Sequence, residues 1–512
     1  MAGERLVVLS PAPTANGDLH LGHLAGPFLA ADVCRRYAEA TGREALFGTG
    51  MHFTQNYIVT AARRLGVTPE GLREESAAQV AETLAALAVR VDGFACLEDR
   101  FVKMVLRFHE RLHALGKLKL RAVKFPYSTR SGQYLMDAYV RGGCPFCLAD
   151  GNSGLCESCG HPIEPGELLS PRSALDPDEP VELREAEILV FSPEEYRAEL
   201  TEFFAARRAG MRPHMAQLID EMLARPLPDF PVTQPGSFGI PAPFPETPGQ
   251  VFYAHMEGMP WSMCTTALAA ERRGAVLAAD DELWAADSGT RVVYFMGLDA
   301  TYPFAVVGTA MLLALGGYVL PDRFVTNDFY ELANDKFSTS RDHVVSGREL
   351  AGEVPRDLIR FHLASTSPEF QRTDFTRGAL ERVTETRLVG PWNRVAEKVD
   401  AWVGRELPVS ERSRAAAGRV LARFAAAYGV DGFSMTAAAF TLAEQLGRLD
   451  GWKPGEHDAG DFCHEVDVLL RCAGPILVDL AEALPDRTIP ARAAATTVTP
   501  RRLPRLDGAV PS

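Results

Sequence analysis

Cysteine is scarce in this chain, with nine in 512 residues, which argues against a scaffold stapled by disulfides. Long apolar runs are missing too. None is read as long enough to cross a membrane, so no membrane association is expected. Met1 to Arg5 runs straight into a strand-like segment with no signal-peptide pattern, and a cytoplasmic protein is expected. Positive charge is not in excess: the net charge of −14 gives no sign of a general polyanion-binding surface. That leans only weakly against nucleic acid, since an acidic protein can carry a local basic face. No internal repeat is found, which excludes a solenoid. At this length two or three domains are expected.

What the chain does contain begins at its start. Arg5 to Ser10 (RLVVLS) is a short apolar run that reads as a buried parallel strand, and Pro11 to Asp18 is a Pro/Asn/Gly turn. Apolar residues then return at helical spacing through Leu24, Phe28, Ala31 and Val33. This puts His20-Leu21-Gly22-His23 at the mouth of a helix that follows a first strand. Such a place suits phosphate, because the first helical turn offers unpaired N–H groups and the positive end of its dipole. Gly22 lets a nucleotide lie against the backbone, and His20 and His23 can donate to phosphate oxygens as pyrophosphate departs. The plain alternative is two polar residues at a helix start.

More than three hundred residues on, Lys336-Phe337-Ser338-Thr339-Ser340-Arg341 lies in a polar stretch between a strand-like and a helical segment. A lysine among small hydroxyl residues on a loop can bring positive charge to a triphosphate as the transition state forms. Taken by itself, the stretch reads equally well as a solvated surface loop.

The two cysteine pairs carry their own chemistry. Cys144-Pro-Phe-Cys147 and Cys156-Glu-Ser-Cys159 are separated by a short Asp/Gly/Asn-rich turn. Each can present two thiolates to one metal, and together they complete a closed tetrahedral zinc site, structural rather than catalytic. A redox dithiol or disulfides are the rival readings. Cys34, Cys96, Cys264, Cys463 and Cys472 stand among apolar residues and read as core thiols.

On these motifs the chain resembles the class I aminoacyl-tRNA synthetases, and within them the methionyl-tRNA synthetase family. Pro11 to Gly17 with HLGH is similar to that family's first ATP motif, KFSTS to its second, and FGIPAP (Phe238 to Pro243) and Gly297 with Asp299 to two elements between them. The segments flanking the cysteine pairs resemble the methionyl-type connective insertion. The resemblance implies an α/β fold: a Rossmann-type doubly wound parallel sheet with a zinc-knuckle connective insertion and a C-terminal α-helical bundle. The expected divisions are residues 1–116 (first half of the catalytic domain), 117–235 (insertion), 236–354 (second half and KFSTS loop), 355–485 (bundle) and a disordered Pro/Arg-rich tail, 486–512. It also implies ATP with Mg2+ and an amino acid as ligands. Catalytic roles fall to His20, His23 and Lys336, and ATP contacts to Asn16, Gly22, Gly297, Asp299, Ser338 and Ser340. An amino-acid pocket would be lined by Ala12, Gly50, His52, His255 and Phe304.

Departures from the family gather where substrates are read. Gly48-Thr49-Gly50 stands where the family has Gly-Thr-Asp, whose aspartate holds the substrate ammonium. Losing such a largely desolvated charge pair costs on the order of 2 to 5 kcal/mol, so methionine should bind poorly in the standard pose. His255 replaces an aromatic wall, and Phe304 stands where the family has a pocket histidine. Thr339 replaces a second lysine, leaving Lys336, with Arg341 as a candidate second cation. In Gly390-Pro391-Trp392-Asn393-Arg394-Val395, Pro391 and Val395 fall where the family reads the anticodon with Asn and Arg, unless the register slips; Trp452 is a candidate for its stacking tryptophan. Three readings follow. One is a specialised paralogue that passes the acyl group to a small-molecule acceptor; it resembles the synthetase-like halves of hydrazine synthetases, which serve an N-hydroxylated amine and need a cupin partner. The others are a methionyl-tRNA synthetase acting on tRNA and a non-catalytic binding protein.

Overall fold

A computed structural model describes residues 5–333, 335–337 and 343–508, with Asp335 and Lys336 described in backbone only. The chain builds a parallel sheet from β1 (Arg5–Leu9), β2 (Ala45–Gly50) and β3 (Gly93–Ala95). It then leaves the sheet through β4 (Leu118–Ser128) and β5 (Val181–Phe191) and returns with β6 (Thr290–Gly297) and β7 (Arg323–Asn327). The order across the sheet is β7-β6-β1-β2-β3, and every pair is parallel. β1 is apolar at consecutive positions because both of its faces are covered. Leu6 and Val8 join one core and Val7 and Leu9 the other. Successive strands run outward from β1 in one direction and then, after the insertion, in the other. The crevice beyond the carboxyl ends of β1 and β6 is therefore the switch point where such sheets bind ligands.

Helical turns at Leu21–His23 and Leu24–Phe28 lead from β1 into α1 (Leu29–Ala40). The middle turn is wound as a π-helix around Pro27, which has no N–H to give the ladder. In the insertion β4 and β5 pair antiparallel over their whole length, from Val181 opposite Ser128 to Phe191 opposite Leu118. The cysteine knuckles hang between them. After the insertion, α2 (Gly258–Arg272) packs on β2 and β3.

The carboxyl-terminal bundle comprises Arg356–Ser365, α3 (Gly390–Asp400), α4 (Glu411–Tyr428), α5 (Met435–Gly451) and α6 (Ala459–Ala473). It is fastened to the sheet layer by Arg360, 1% exposed, whose guanidinium donates to Asp32 at 2.7 Å and to the carbonyls of Ile476, Leu87 and Pro475. Burying this pair is tolerable only because its donors are met.

Two expectations are corrected. The tail lacks periodicity but is not disordered over residues 486–508. Thr497–Val498 pairs with Leu407–Pro408, Leu503 and Leu506 pack on the core, and the Ile489 N–H donates to the Ala40 carbonyl at 2.8 Å. Backbone groups make most of these contacts, which side-chain patterning does not report. The second concerns apolar length: among the described residues one helical stretch, Leu298–Leu315, is long and apolar enough to cross a membrane. It is 67% buried, as suits a core helix flanking the sheet.

Candidate active site

His20 has extended backbone angles and caps the helix that follows β1, its Nδ1 accepting the Gly22 N–H at 3.1 Å. Its ring stacks on that of His23, with centroids 3.9 Å apart. Phe337, from KFSTS, lies on the other face of His20 at 4.9 Å and 10° from parallel, and Tyr330 continues the stack beyond it. A side-chain carbon at Gly22 would come within 2.9 Å of the His20 ring and 3.3 Å of Phe337, so the stack needs glycine there. The two distant motifs are thus in contact at the switch point. Further links support the junction: the Leu21 N–H donates to the Val345 carbonyl at 3.1 Å, and the Ser346 hydroxyl to Asp18 at 3.1 Å. The Lys336 side chain and Ser338, Thr339, Ser340 and Arg341 lie outside the described residues.

Asn16 and Ala12 lie half-buried on the turn after β1. That turn is tied to the end of β2, because the His52 N–H donates to Pro13 at 2.8 Å and the Ala15 N–H to His52 at 3.1 Å. Gly297 ends β6, and the carboxylate of Asp299 folds back to within 2.4 Å of where a Gly297 side chain would start. The structure therefore brings the HLGH turn, the Gly297–Asp299 turn and the end of β2 to one edge of the sheet.

Gly50 is where the sequence reading needs correction. Its missing carboxylate reads as a simple deletion, but a β-carbon at position 50 would sit 2.3 Å from the Ala95 carbonyl oxygen. No side chain fits while β2 and β3 stay paired. Gly50→Asp is expected to destabilise the protein by several kcal/mol rather than restore an ammonium site. A thermal melt showing an unchanged midpoint would contradict this.

The charge near this position comes from Glu257, which the sequence reading did not assign, beside His52, which it placed in the amino-acid pocket. His52 donates Nε2–H to the Ala254 carbonyl at 2.9 Å, and the same nitrogen is 3.5 Å from Glu257. Glu257 is buried and also accepts from the Thr54 hydroxyl at 2.7 Å. The His255 ring stands edge-on to His52 at 6.1 Å, and burial with the neighbouring His52 pushes its pKa down to about 3, so it is neutral at physiological pH. Phe304 rests on Gly258, whose missing side chain would meet its ring at 3.1 Å, and packs against Tyr294. Glu257 lies within the short segment that contains His255, but its partners are two hundred residues away. No local pattern could disclose them.

Asp137, from the insertion, is another buried carboxyl. It has a left-handed φ of 44°, takes a hydrogen bond from the Tyr253 hydroxyl at 3.3 Å, and burial raises its pKa to about 7. Because the folded state holds this proton more tightly than the unfolded chain, the associated stability is complete below about pH 4. It is lost as pH rises through about 7. Asp137→Asn should therefore raise the melting midpoint at pH 8 and leave it nearly unchanged at pH 4. A difference that does not vary with pH would contradict this assignment.

In the insertion the four Sγ atoms of Cys144, Cys147, Cys156 and Cys159 all lie within 4.8 Å of one another. Two of the separations are 3.9 and 3.6 Å. Four thiolates at about 2.3 Å from a tetrahedral zinc stand about 3.8 Å apart. The donor set fits zinc, and these gaps are far from a disulfide's. With four protein ligands such a site has no open position for substrate.

The switch-point crevice, the HLGH turn and the zinc knuckles together define a class I aminoacyl-tRNA synthetase architecture. The family described as tRNA synthetases class I (M) matches residues 6–399, and the chain belongs to it. The methionine–tRNA ligase of Bacteroides fragilis is 28% identical over 399 residues, covering 77% of this chain; the chain spans 58% of that relative's length. That of Roseiflexus castenholzii is 27% identical over 506 residues, covering 94% of this chain and 85% of the relative. The fold is similar to Mycobacterium tuberculosis methionyl-tRNA synthetase bound by methionyl-adenylate, with a TM-score of 0.76, 17% identity and coverage of 99% and 100%.

Proposed function

We propose that this chain activates an amino acid with ATP and Mg2+ and passes the acyl group to a small-molecule hydroxyl, such as that of an N-hydroxylated amine. The contact of Phe337 with His20 carries the adenylation half of this reading, since it sets the KFSTS root on the phosphate-suited helix start. The amino-acid carboxylate attacks the α-phosphorus, the bond to pyrophosphate breaks, and His20 and His23 donate to oxygens that gain charge. Lys336 supplies a cation to the departing pyrophosphate; Asn16, Gly22, Gly297, Asp299, Ser338 and Ser340 hold the nucleotide. The acceptor hydroxyl then attacks the carbonyl carbon and AMP leaves. Cys144, Cys147, Cys156 and Cys159 would hold a zinc ion, which would keep the insertion in shape.

The carboxyl-terminal contacts favour a small acceptor over tRNA. On α3, Trp392 Nε1 donates to the Pro504 carbonyl at 2.9 Å, and the Asn393 amide exchanges hydrogen bonds with the Leu506 backbone, each at 2.9 Å. Arg394 is paired with Asp450 at 2.7 Å. Trp452 packs on Phe462 and donates to Asp458 at 2.9 Å. The groups best suited to stack on or bond to bases thus have protein partners. The relatives named as methionine–tRNA ligases favour the second reading, charging of tRNA with methionine.

The expected outcome is amino-acid-dependent pyrophosphate exchange, strongest with an amino acid other than methionine. Hydroxylamine should trap the acyl group as a hydroxamate, and tRNA should not be acylated. Methionine-stimulated exchange with tRNA acylation would establish the second reading, and a separate cupin-type partner would then have no place. Absence of exchange with every amino acid would overturn both.

A further inference from the structure

Position 50 can hold no carboxylate, yet an amino acid brings an ammonium that must be met. The end of β2 offers one arrangement that can meet it. A carbonyl oxygen can only accept, so the 2.9 Å contact between His52 Nε2 and Ala254 fixes a proton on Nε2. Glu257 lies 3.5 Å from the same nitrogen, adding a second reason for the proton to stay there. The other nitrogen, Nδ1, is left with its lone pair, and among the described residues it has no hydrogen-bond partner. The His52 side chain is 16% exposed while that of Glu257 is 2% exposed, so the imidazole is partly open to solvent and the carboxylate beside its Nε2 is not.

We propose that His52, oriented by the buried Glu257, accepts the α-ammonium of the amino-acid substrate at Nδ1, in place of a carboxylate at residue 50. This rests on the adenylating function proposed above and names the group that reads its substrate class, an amino acid with its α-ammonium free. Glu257 is a positioning residue: it does not touch the ligand, and it sets the tautomer and supplies the negative charge behind the ring. Among the described residues its partners are the Thr54 hydroxyl and His52, and no lysine or arginine neutralises it. His255, across from His52, is neutral, so among the described residues Glu257 is the charge beside the ring. The surroundings therefore favour an arriving cation.

The test uses the full-length protein and its glutamine variant, Glu257→Gln, which keeps the shape and an acceptor for Thr54 but removes the charge. The amino acid that gives the strongest ATP-dependent thermal shift with the wild type is titrated beside its des-amino carboxylic acid. Amino-acid affinity is expected to fall at least tenfold in the variant, with the affinities for the des-amino acid and for ATP within twofold of wild type. His52→Phe, which keeps a ring at a partly exposed site, should give the same selective loss if Glu257→Gln does not fold. Equal losses for the amino acid and its des-amino analogue, or no loss, would overturn the assignment while leaving the adenylating function standing. A wild type that no amino acid protects would remove that function and this assignment together.

Discussion

Replacing His23 with alanine should lower the rate of amino-acid-dependent pyrophosphate exchange by about 10²- to 10³-fold, the loss typical of removing one donor aimed at developing charge. His23 is the cleaner of the two histidines to change. His20 also caps the helix and carries the stack to Phe337, so His20→Ala combines a catalytic loss with about 1 kcal/mol of lost capping and a freed aromatic ring. With His23→Ala, ATP affinity and the melting midpoint should move little, because a group that acts mainly in the transition state contributes little to ground-state binding. Exchange within threefold of wild type would refute a catalytic role for the HLGH turn.

Removing zinc should have the larger effect on structure. Stripping the metal with a chelator, or changing Cys156 to serine, is expected to melt the knuckle region. Its own apolar core is small, with Leu135, Val140, Cys144, Cys156, Ile163 and Leu168 as the buried residues. Structural zinc contributes on the order of 10 to 16 kcal/mol of apparent binding free energy in zinc-finger peptides, more than such a core can replace. The damage should reach the cleft. The Asn152 amide donates to the Tyr57 hydroxyl at 2.9 Å, Ser153 accepts the Asp137 N–H at 2.9 Å, and Asn56 donates to the Met136 carbonyl at 2.7 Å. Hydrogen exchange should show loss of protection across residues 134–175 on chelation, with amino-acid-dependent exchange falling in parallel. Retained protection in a zinc-free protein would show that the knuckles are redundant.

These two sites were the most legible parts of the chain, and for the same reason. HLGH and the paired CxxC each keep their chemistry within a few consecutive residues, so spacing alone announces it. KFSTS is legible as a motif too, and Phe337 shows where its root lies. Gly50 shows the limit of this kind of reading: the residue type was plain, but the Ala95 carbonyl that forbids a side chain comes from a strand forty-five positions later. Glu257 was visible as a letter, and its value depends on Thr54 and His52, reached only after the chain has closed the sheet. The order of the tail is not legible because much of it rests on backbone groups, such as the Ile489 N–H and the carbonyls of Pro504 and Leu506, which side-chain patterning does not report.

The Arg360–Asp32 link bears on how far this molecule is modular. Asp32 is completely buried on α1, and its partner comes from the first helix of the bundle. Dividing the chain near residue 355 would leave Asp32 with Arg36 and the Arg90 N–H as its remaining partners on one fragment, and the buried Arg360 guanidinium without its Asp32 counter-ion on the other. Loss of one member of such a pair costs about 3 to 5 kcal/mol, a large share of a typical domain's stability. The helical bundle is therefore less an appendage than a wall on which the sheet layer depends.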